Sequence, residues 1–85
     1  MAYTIQFKPS ALRQLERLPL AIQQRIRPRV DALTFNPRPP GCKKLAGEEE
    51  LYRIRVGDYR IIYEIHDRVL VVIVVKLGHR GGVYD

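Results

Sequence analysis

The spacing of apolar residues changes twice along the chain, from a period of two to a helical period and back again. Residues 3–7 (YTIQF) alternate apolar and polar side chains, which predicts a short half-buried strand. After Pro9, three leucines recur at three-residue spacing with polar residues between them: Leu12, Leu15 and Leu18. This pattern predicts an amphipathic helix that starts near the proline.

A second helix is predicted between Pro19 and the Asn36-Pro37 stop. Its apolar residues lie at helical spacing: Ile22, Ile26, Val30 and Leu33. Pro28 falls inside this segment, where it removes a backbone hydrogen bond and predicts a kink. Because the two helices follow one another closely, we expect a helical hairpin.

Beyond the Pro- and Gly-rich connector at residues 38–41, the apolar period returns to two and predicts a sheet. Three strands are expected, over residues 51–56, 59–65 and 69–77, with two-residue loops at 57–58 and 67–68. The last strand is apolar on both faces, which predicts an interior position with cover on each side. The order of elements is that of an α+β domain.

Length and composition favour a single domain spanning residues 1–85. The chain is 46% hydrophobic and 28% charged, too apolar for a disordered segment, but its small core predicts modest stability and a stabilising partner. No apolar run approaches a membrane span, so we expect a soluble, cytoplasmic chain without membrane contact. Cys42 is the lone cysteine, which excludes an internal disulfide and a cysteine-based zinc site.

Charge gives the first indication of function. The net charge is +6, and eleven of the fifteen cationic residues are arginine. Guanidinium groups bind phosphate with two donors at once, so this bias favours phosphate or carboxylate partners. Residues 1–40 contain seven cations and two anions, which predicts a basic face in the first half of the chain. The alternative is that these arginines are simply solvated.

The loop at residues 57–58 concentrates arginines on one face of the sheet. A two-residue loop places Arg55 opposite Arg60, with Arg53 on the same face. Like charges directly opposite one another destabilise a sheet, on a scale of ~0.2–1 kcal/mol for cross-strand pairs. A bound anion would remove this cost, so the pairing of Arg55 with Arg60 predicts a phosphate site. The alternative interpretation is that the side chains point into water and spread apart.

The C-terminal segment combines groups that are able to transfer protons. His79, Arg80 and Tyr84 occur among glycines within residues 78–85. Histidine titrates near pH ~6.5, and a terminal tyrosine is able to stack on a base or act in acid–base chemistry. A frayed tail with chance polar residues is the alternative. The acidic residues form a solvated run at 48–50 or are scattered, so neither a metal ion nor a cofactor is expected.

Three segments carry a resemblance to a known family: KLAG at residues 44–47, LYRIRVGDYRIIYEI at 51–65 and GHR at 78–80. The chain resembles the RelE/ParE superfamily of bacterial toxins over essentially its whole length. This resemblance implies two helices packed on a four-stranded antiparallel sheet. It further implies a metal-independent messenger-RNA endonuclease that acts in the ribosomal A site and is neutralised by a cognate, RelB-like antitoxin.

The resemblance also assigns roles to individual residues. It gives Arg55, Arg60, Arg80 and Tyr84 as catalytic candidates and Arg53 as an RNA-binding candidate. The residues themselves add His79 to the catalytic candidates, and Lys43 and Lys44 to the RNA-binding candidates. Ribosome-dependent members often have lysine at the positions of Arg53, Arg55 and His79. Because arginine does not act as a base, the general base stays open between His79 and Tyr84.

Two other functions are compatible with the sequence. The first is inhibition of DNA gyrase through protein binding, as in the ParE branch of the same superfamily. The second is a toxin-like module that only binds a partner. The terminal Tyr84 favours RNA cleavage over the first of these.

Overall fold

The computed structural model describes residues 2–45, 47 and 50–79 as an α+β fold, as predicted. The elements follow one another as β1 (Thr4–Phe7), α1 (Pro9–Glu16), α2 (Leu20–Asp31), a 3₁₀ turn (Ala32–Thr34), β2 (Lys43–Lys44), β3 (Leu51–Val56), β4 (Tyr59–His66) and β5 (Val71–His79). Helices α1 and α2 share one core with the sheet. Neither described helix is long and apolar enough to cross a membrane.

The sheet has five strands in the order β1-β5-β4-β3-β2. The expected four-stranded antiparallel sheet is therefore wrong in two details. Strand β1 runs parallel to β5, which the long connection between them permits. The two-residue strand β2 adds a further edge by pairing with Arg53 and Tyr52, after Gly41 turns the chain at a φ of 90°.

The hairpin between β3 and β4 has the predicted two-residue loop. Val56 pairs with Tyr59, and Arg55 pairs with Arg60. Gly57 has a φ of 60°, a left-handed conformation that two-residue hairpin loops require and that glycine adopts without strain. The register of this hairpin therefore follows from the position of one glycine.

The hairpin between β4 and β5 differs from the prediction. Its loop has four residues, 67–70, and β5 begins at Val71, opposite His66. The phenolic oxygen of Tyr3 donates to Asp67 at 2.6 Å, and Arg38 donates to both oxygens of the same carboxylate. These contacts from distant parts of the chain hold Asp67 at the start of the loop, and local sequence patterns do not reveal them.

The core lies between the two helices and one face of the sheet. Its buried residues are Ala11, Leu15, Ile26, Val30, Leu33, Ile54, Val56, Ile61, Tyr63, Ile65, Val72, Val74 and Leu77. Leu12, expected on the buried side of α1, is 37% exposed, and Ala11 is buried instead. Three-residue spacing drifts around a helix of 3.6 residues per turn, so positions 11, 15 and 18 share a side better than 12, 15 and 18 do.

Helix α2 continues through Pro28 from Leu20 to Asp31. The carbonyl of Gln24 loses its usual partner there, but both residues are exposed, so water is able to replace that hydrogen bond. At the start of α2, the side-chain amide of Gln23 donates to the backbone oxygens of Glu16 and Leu18 at 3.3 and 2.9 Å. Gln23 thus satisfies the end of α1 and joins the two helices of the predicted hairpin.

Strand β5 lies in the interior of the sheet, between β1 and β4, as predicted. Its cover is one-sided in the described part of the chain, because both helices pack on the face that carries Val72 and Val74. Val71 and Ile73, on the other face, are only partly buried. The expectation of cover on each side is therefore wrong for the described residues, and one face of the sheet stays free of helices.

Candidate functional site

The helix-free face of the sheet carries two adjacent rows of cationic residues near the β3–β4 loop. In the first row Arg55 pairs with Arg60, which confirms the predicted opposition of these two residues. In the second row, two residues further from the loop along each strand, the register places four neighbours across the sheet: Lys43, Arg53, Ile62 and Lys76. We refer to Lys43, Arg53, Arg55, Arg60 and Lys76 as the cationic face.

Gly78 is the neighbour of Arg60 on β5 and has no side chain. Among the described strand residues, these two rows contain no acidic side chain, and Glu64 lies further along β4, toward the opposite end of the sheet. Five cationic side chains therefore lie in these two rows, and their combined field attracts a polyanion.

Arg53 shows the electrostatic cost of this arrangement. Its side chain is half-buried, and its Nε is buried without a hydrogen-bond acceptor among the described residues. Burial lowers the pKa of the Arg53 guanidinium, and the charges of Arg55 and Arg60 lower it further. A bound phosphate would supply both the missing acceptor and the missing negative charge.

The two lysines predicted to bind RNA separate in the structure. Lys43 is the neighbour of Arg53 and lies on the cationic face, whereas Lys44 pairs with Tyr52 and lies on the other face. Lys76 was not predicted and joins the cationic face opposite Ile62. Lys76 is next to the buried Leu77, so strict alternation along the strand places Lys76 on the opposite face. The run of apolar residues before Lys76 obscures this alternation in the sequence.

The structure places His79 away from the arginines. It pairs with Tyr59 on the face that the helices cover, and the two rings meet edge to face with centroids 5.3 Å apart. Arg55 and Arg60 lie on the opposite face. Arg80 and Tyr84, the remaining predicted catalytic residues, lie outside the described residues.

A second polar cluster, which the sequence did not predict, lies at the opposite end of the sheet. Arg38 donates to Asp67 at 2.9 and 3.2 Å and to the Tyr52 hydroxyl at 3.2 Å, and its guanidinium stacks 5.1 Å from the centre of the Tyr52 ring. Hydrogen bonds from Arg38 and Tyr3 lower the pKa of Asp67 to about 2. The cluster borders a cleft of about 430 Å³. These contacts hold the β4–β5 loop to the segment that follows α2.

His66 forms part of the same cleft and lies between two carboxylates. Its Nε2 is 2.8 Å from Glu64 and its Nδ1 is 3.2 Å from Glu50. The hydrogen bond with Glu64 is the main cause that raises the pKa of His66, and the charge of Glu50 adds to it. Within the ranges that the structure describes, no three histidine, cysteine or acidic side chains form a group able to hold a metal ion.

We expect the stability of the fold to decrease as His66 loses its proton. The folded-state pKa lies above the ordinary value of 6.5, so its stabilising effect is fully present below that value and is lost as the pH rises through the folded-state pKa. Thermal unfolding between pH 5 and pH 9 measures this dependence, and His66→Gln is the control that should flatten it. An unchanged pH profile in the variant would contradict the prediction.

Comparison with known proteins identifies the family. Residues 5–84 match the family model of the ParE toxin of the type II toxin–antitoxin system, parDE. The chain is 33% identical over 82 residues to an Escherichia coli protein described as RelE-like toxin, covering 94% of this chain and 85% of that one. It is 28% identical, with the same coverage, to the mRNA interferase toxin RelE of Escherichia coli strain K12.

Solved structures agree with this assignment. The toxin in the archaeal RelE–RelB complex from Pyrococcus horikoshii superimposes with a TM-score of 0.84 at 33% identity, over 96% of this chain and 99% of that one. Sequence family and fold therefore agree along nearly the whole length of both chains. This chain belongs to the RelE/ParE superfamily and is a RelE-like toxin of a toxin–antitoxin system.

Proposed function

We propose that this toxin is a ribosome-dependent messenger-RNA endoribonuclease. The observation that carries the proposal is the pairing of Arg55 with Arg60 beside the half-buried Arg53 on the helix-free face of the sheet. Three guanidinium groups are brought together on one face of neighbouring strands, and guanidinium groups bind phosphate oxygens with two donors at once. A relative named mRNA interferase RelE supports the choice of RNA as the anion.

The reaction uses the nucleophile that RNA itself provides. The 2′-hydroxyl gives its proton to a base, and its oxygen forms a bond to the adjacent phosphorus. The bond from phosphorus to the 5′-oxygen breaks, and that oxygen takes up a proton, so the products are a 2′,3′-cyclic phosphate and a 5′-hydroxyl. The protein must hold the reacting atoms in line and neutralise the charge that grows on the phosphoryl oxygens.

Residues of the cationic face fit these tasks. Arg55 and Arg60, together with Arg80, bind the scissile phosphate and stabilise its transition-state charge. Arg53 and Lys43 hold a neighbouring phosphate. Lys44 is left out of this contact, because the register places it on the other face.

The general base is Tyr84 or His79, and we favour Tyr84. The superfamily match covers the position of Tyr84. His79 packs against Tyr59 on the helix-covered face, so its imidazole is directed away from the scissile phosphate that Arg55 and Arg60 hold.

The test is cleavage of messenger RNA on purified ribosomes. We expect cuts in the message only when ribosomes are present, and cleaved ends that carry a 2′,3′-cyclic phosphate. The Arg68→Ala variant removes an exposed arginine in the β4–β5 loop, at the opposite end of the sheet from Arg55 and Arg60. It should cleave like the wild type. Absence of cleavage with a folded wild-type chain would refute the proposal.

A second candidate function comes from the family model, which describes a ParE toxin. In the ParE branch the target is DNA gyrase, and the toxin acts by binding protein. A supercoiling assay with purified gyrase, run beside the ribosome assay, separates the two functions. Inhibition of supercoiling without cleavage of messenger RNA would assign the chain to the ParE branch.

We propose that a cognate, RelB-like antitoxin neutralises the toxin. A homologous archaeal toxin was solved in complex with RelB, and the cationic and partly apolar helix-free face provides a surface for an acidic, apolar segment. We expect a small protein encoded next to the toxin to co-purify with it and to restore growth of cells that express it. High-level expression of the toxin alone without harm to the host would contradict this prediction.

A further inference from the structure

Arg25 of helix α2 lies against the loop that joins the two central arginine strands. A methyl group built on Gly57 would come within 2.9 Å of Arg25 Nη2 and 3.5 Å of its Cζ. The guanidinium therefore occupies the space that any other residue at position 57 would fill. This contact places a further positive charge at the tip of the hairpin that carries Arg55 and Arg60.

Helix α2 presents a second arginine on the same side. Arg29 follows Arg25 by four residues, and four residues of α-helix rise about 6 Å. Both side chains are exposed, whereas the neighbouring Ile26 and Val30 point into the core. Like charges at this spacing destabilise a helix, and within the described residues neither arginine has an ion-pair partner. Stability of the helix therefore does not explain the pair.

We propose that Arg25 and Arg29 continue the RNA path from the cationic face, around the hairpin tip and along α2. This inference rests on the proposed function and specifies which part of the substrate the helix binds: the phosphates of the single-stranded message beyond the scissile nucleotide. A backbone with one charge per nucleotide suits such a line of separated guanidinium groups. Arg25 and Arg29 are positioning residues, because they lie on the helix side of the tip and do not reach the scissile phosphate.

The experiment has two arms. In the first, a single-stranded oligonucleotide with 2′-O-methyl groups throughout, which is not cleaved, binds the isolated toxin at several salt concentrations. We expect Arg25→Ala to weaken binding about tenfold at low salt. The slope of log affinity against log salt should fall by about 0.7, the value for one phosphate contact on a single strand. Arg68→Ala removes the same charge at the other end of the sheet and should leave affinity and slope unchanged.

In the second arm, the toxin cleaves messenger RNA on programmed ribosomes under single-turnover conditions. We expect Arg25→Ala to raise the half-saturating toxin concentration about tenfold, while the loss at saturation stays below about twofold. A large loss at saturation would make Arg25 part of the chemistry and overturn its positioning role. The Arg25→Ala/Arg29→Ala double variant should extend the effect in both arms.

The outcomes separate this inference from the proposed function. If Arg25→Ala and Arg68→Ala weaken oligonucleotide binding equally, or if neither weakens it, the inference is overturned. Cleavage by the wild-type toxin would still support the proposed function. An effect in the ribosome arm alone would mean that Arg25 binds ribosomal RNA, which also overturns the inference. If the wild-type toxin does not cleave but the oligonucleotide arm depends on Arg25, the function fails and the RNA path stands.

Discussion

Replacing Arg60 with alanine should reduce the rate of RNA cleavage at least about 100-fold, without loss of thermal stability. The magnitude is that expected when one preorganised donor to a transition-state oxyanion is removed. Arg55, the cross-strand partner of Arg60, should give a loss of the same order on replacement with alanine. Single-turnover cleavage on ribosomes at saturating toxin measures the effect on the chemical step.

Stability should respond in the opposite direction to activity. Arg55 and Arg60 oppose one another directly, so removing either charge relieves a repulsion on the scale of ~0.2–1 kcal/mol. Thermal melts of both variants should therefore match or slightly exceed the wild-type melting temperature. A residue that merely supports the fold would behave differently, because its loss would lower stability and activity together.

Two controls make this result specific to the cationic face. Arg68→Ala removes one positive charge from the opposite end of the sheet and should keep wild-type cleavage. Arg60→Lys keeps the charge but loses the planar pair of donors, so its activity should fall between those of wild type and Arg60→Ala. Full activity of Arg60→Ala would refute the proposed site.

The sequence was sufficient to predict the arginine pair because the hairpin depends on local information. A two-residue loop leaves one register, and Gly57 provides the positive φ that the loop requires. The neighbours across the rest of the sheet depend on distant contacts. Periodicity shows which face a residue occupies but not which strand lies beside it, so the parallel pairing of β1 with β5 was missed.

The β4–β5 loop is longer than predicted because distant residues contact it. Asp67 and Arg68 resemble a two-residue turn when read locally, but the Asp67 carboxylate is held by Tyr3 and Arg38, from 64 and 29 residues away. These contacts favour a longer loop and shift the start of β5 to Val71. Charge pairing between distant segments has no periodic signature, so the sequence alone gave no basis for predicting it.

The alternation of side chains along β5 predicts the face on which His79 lies. Leu77 is buried against the helices, and residues two apart on a strand share a face, so His79 belongs on the helix-covered side with Tyr59. Proximity in sequence to Arg80 instead predicts that His79 lies with the arginines, and the structure separates them. The position of His79 in the alternation therefore predicts its face of the sheet better than its chemical type does.

The two candidate bases should differ in how cleavage depends on pH. An imidazole base makes the single-turnover rate rise with pH and level off near ~6.5, the ordinary value for histidine. A phenol base loses its proton near pH ~10 in water, and guanidinium groups that bind the same phosphate would lower that value. With Tyr84 as the base, the rate should therefore continue to rise well above pH 8.

Variants at both positions test this assignment. We expect Tyr84→Phe to reduce cleavage at pH 8 by about 100-fold or more and to remove the rise above that pH, because phenylalanine keeps the ring but has no proton acceptor. His79→Gln should keep cleavage within about fivefold of wild type, since its side chain contacts Tyr59 on the opposite face from Arg55 and Arg60. Melting curves of both variants exclude loss of the fold as the cause. If His79→Gln loses nearly all activity while Tyr84→Phe keeps it, histidine is the base, and its imidazole must leave the helix-covered face when RNA binds.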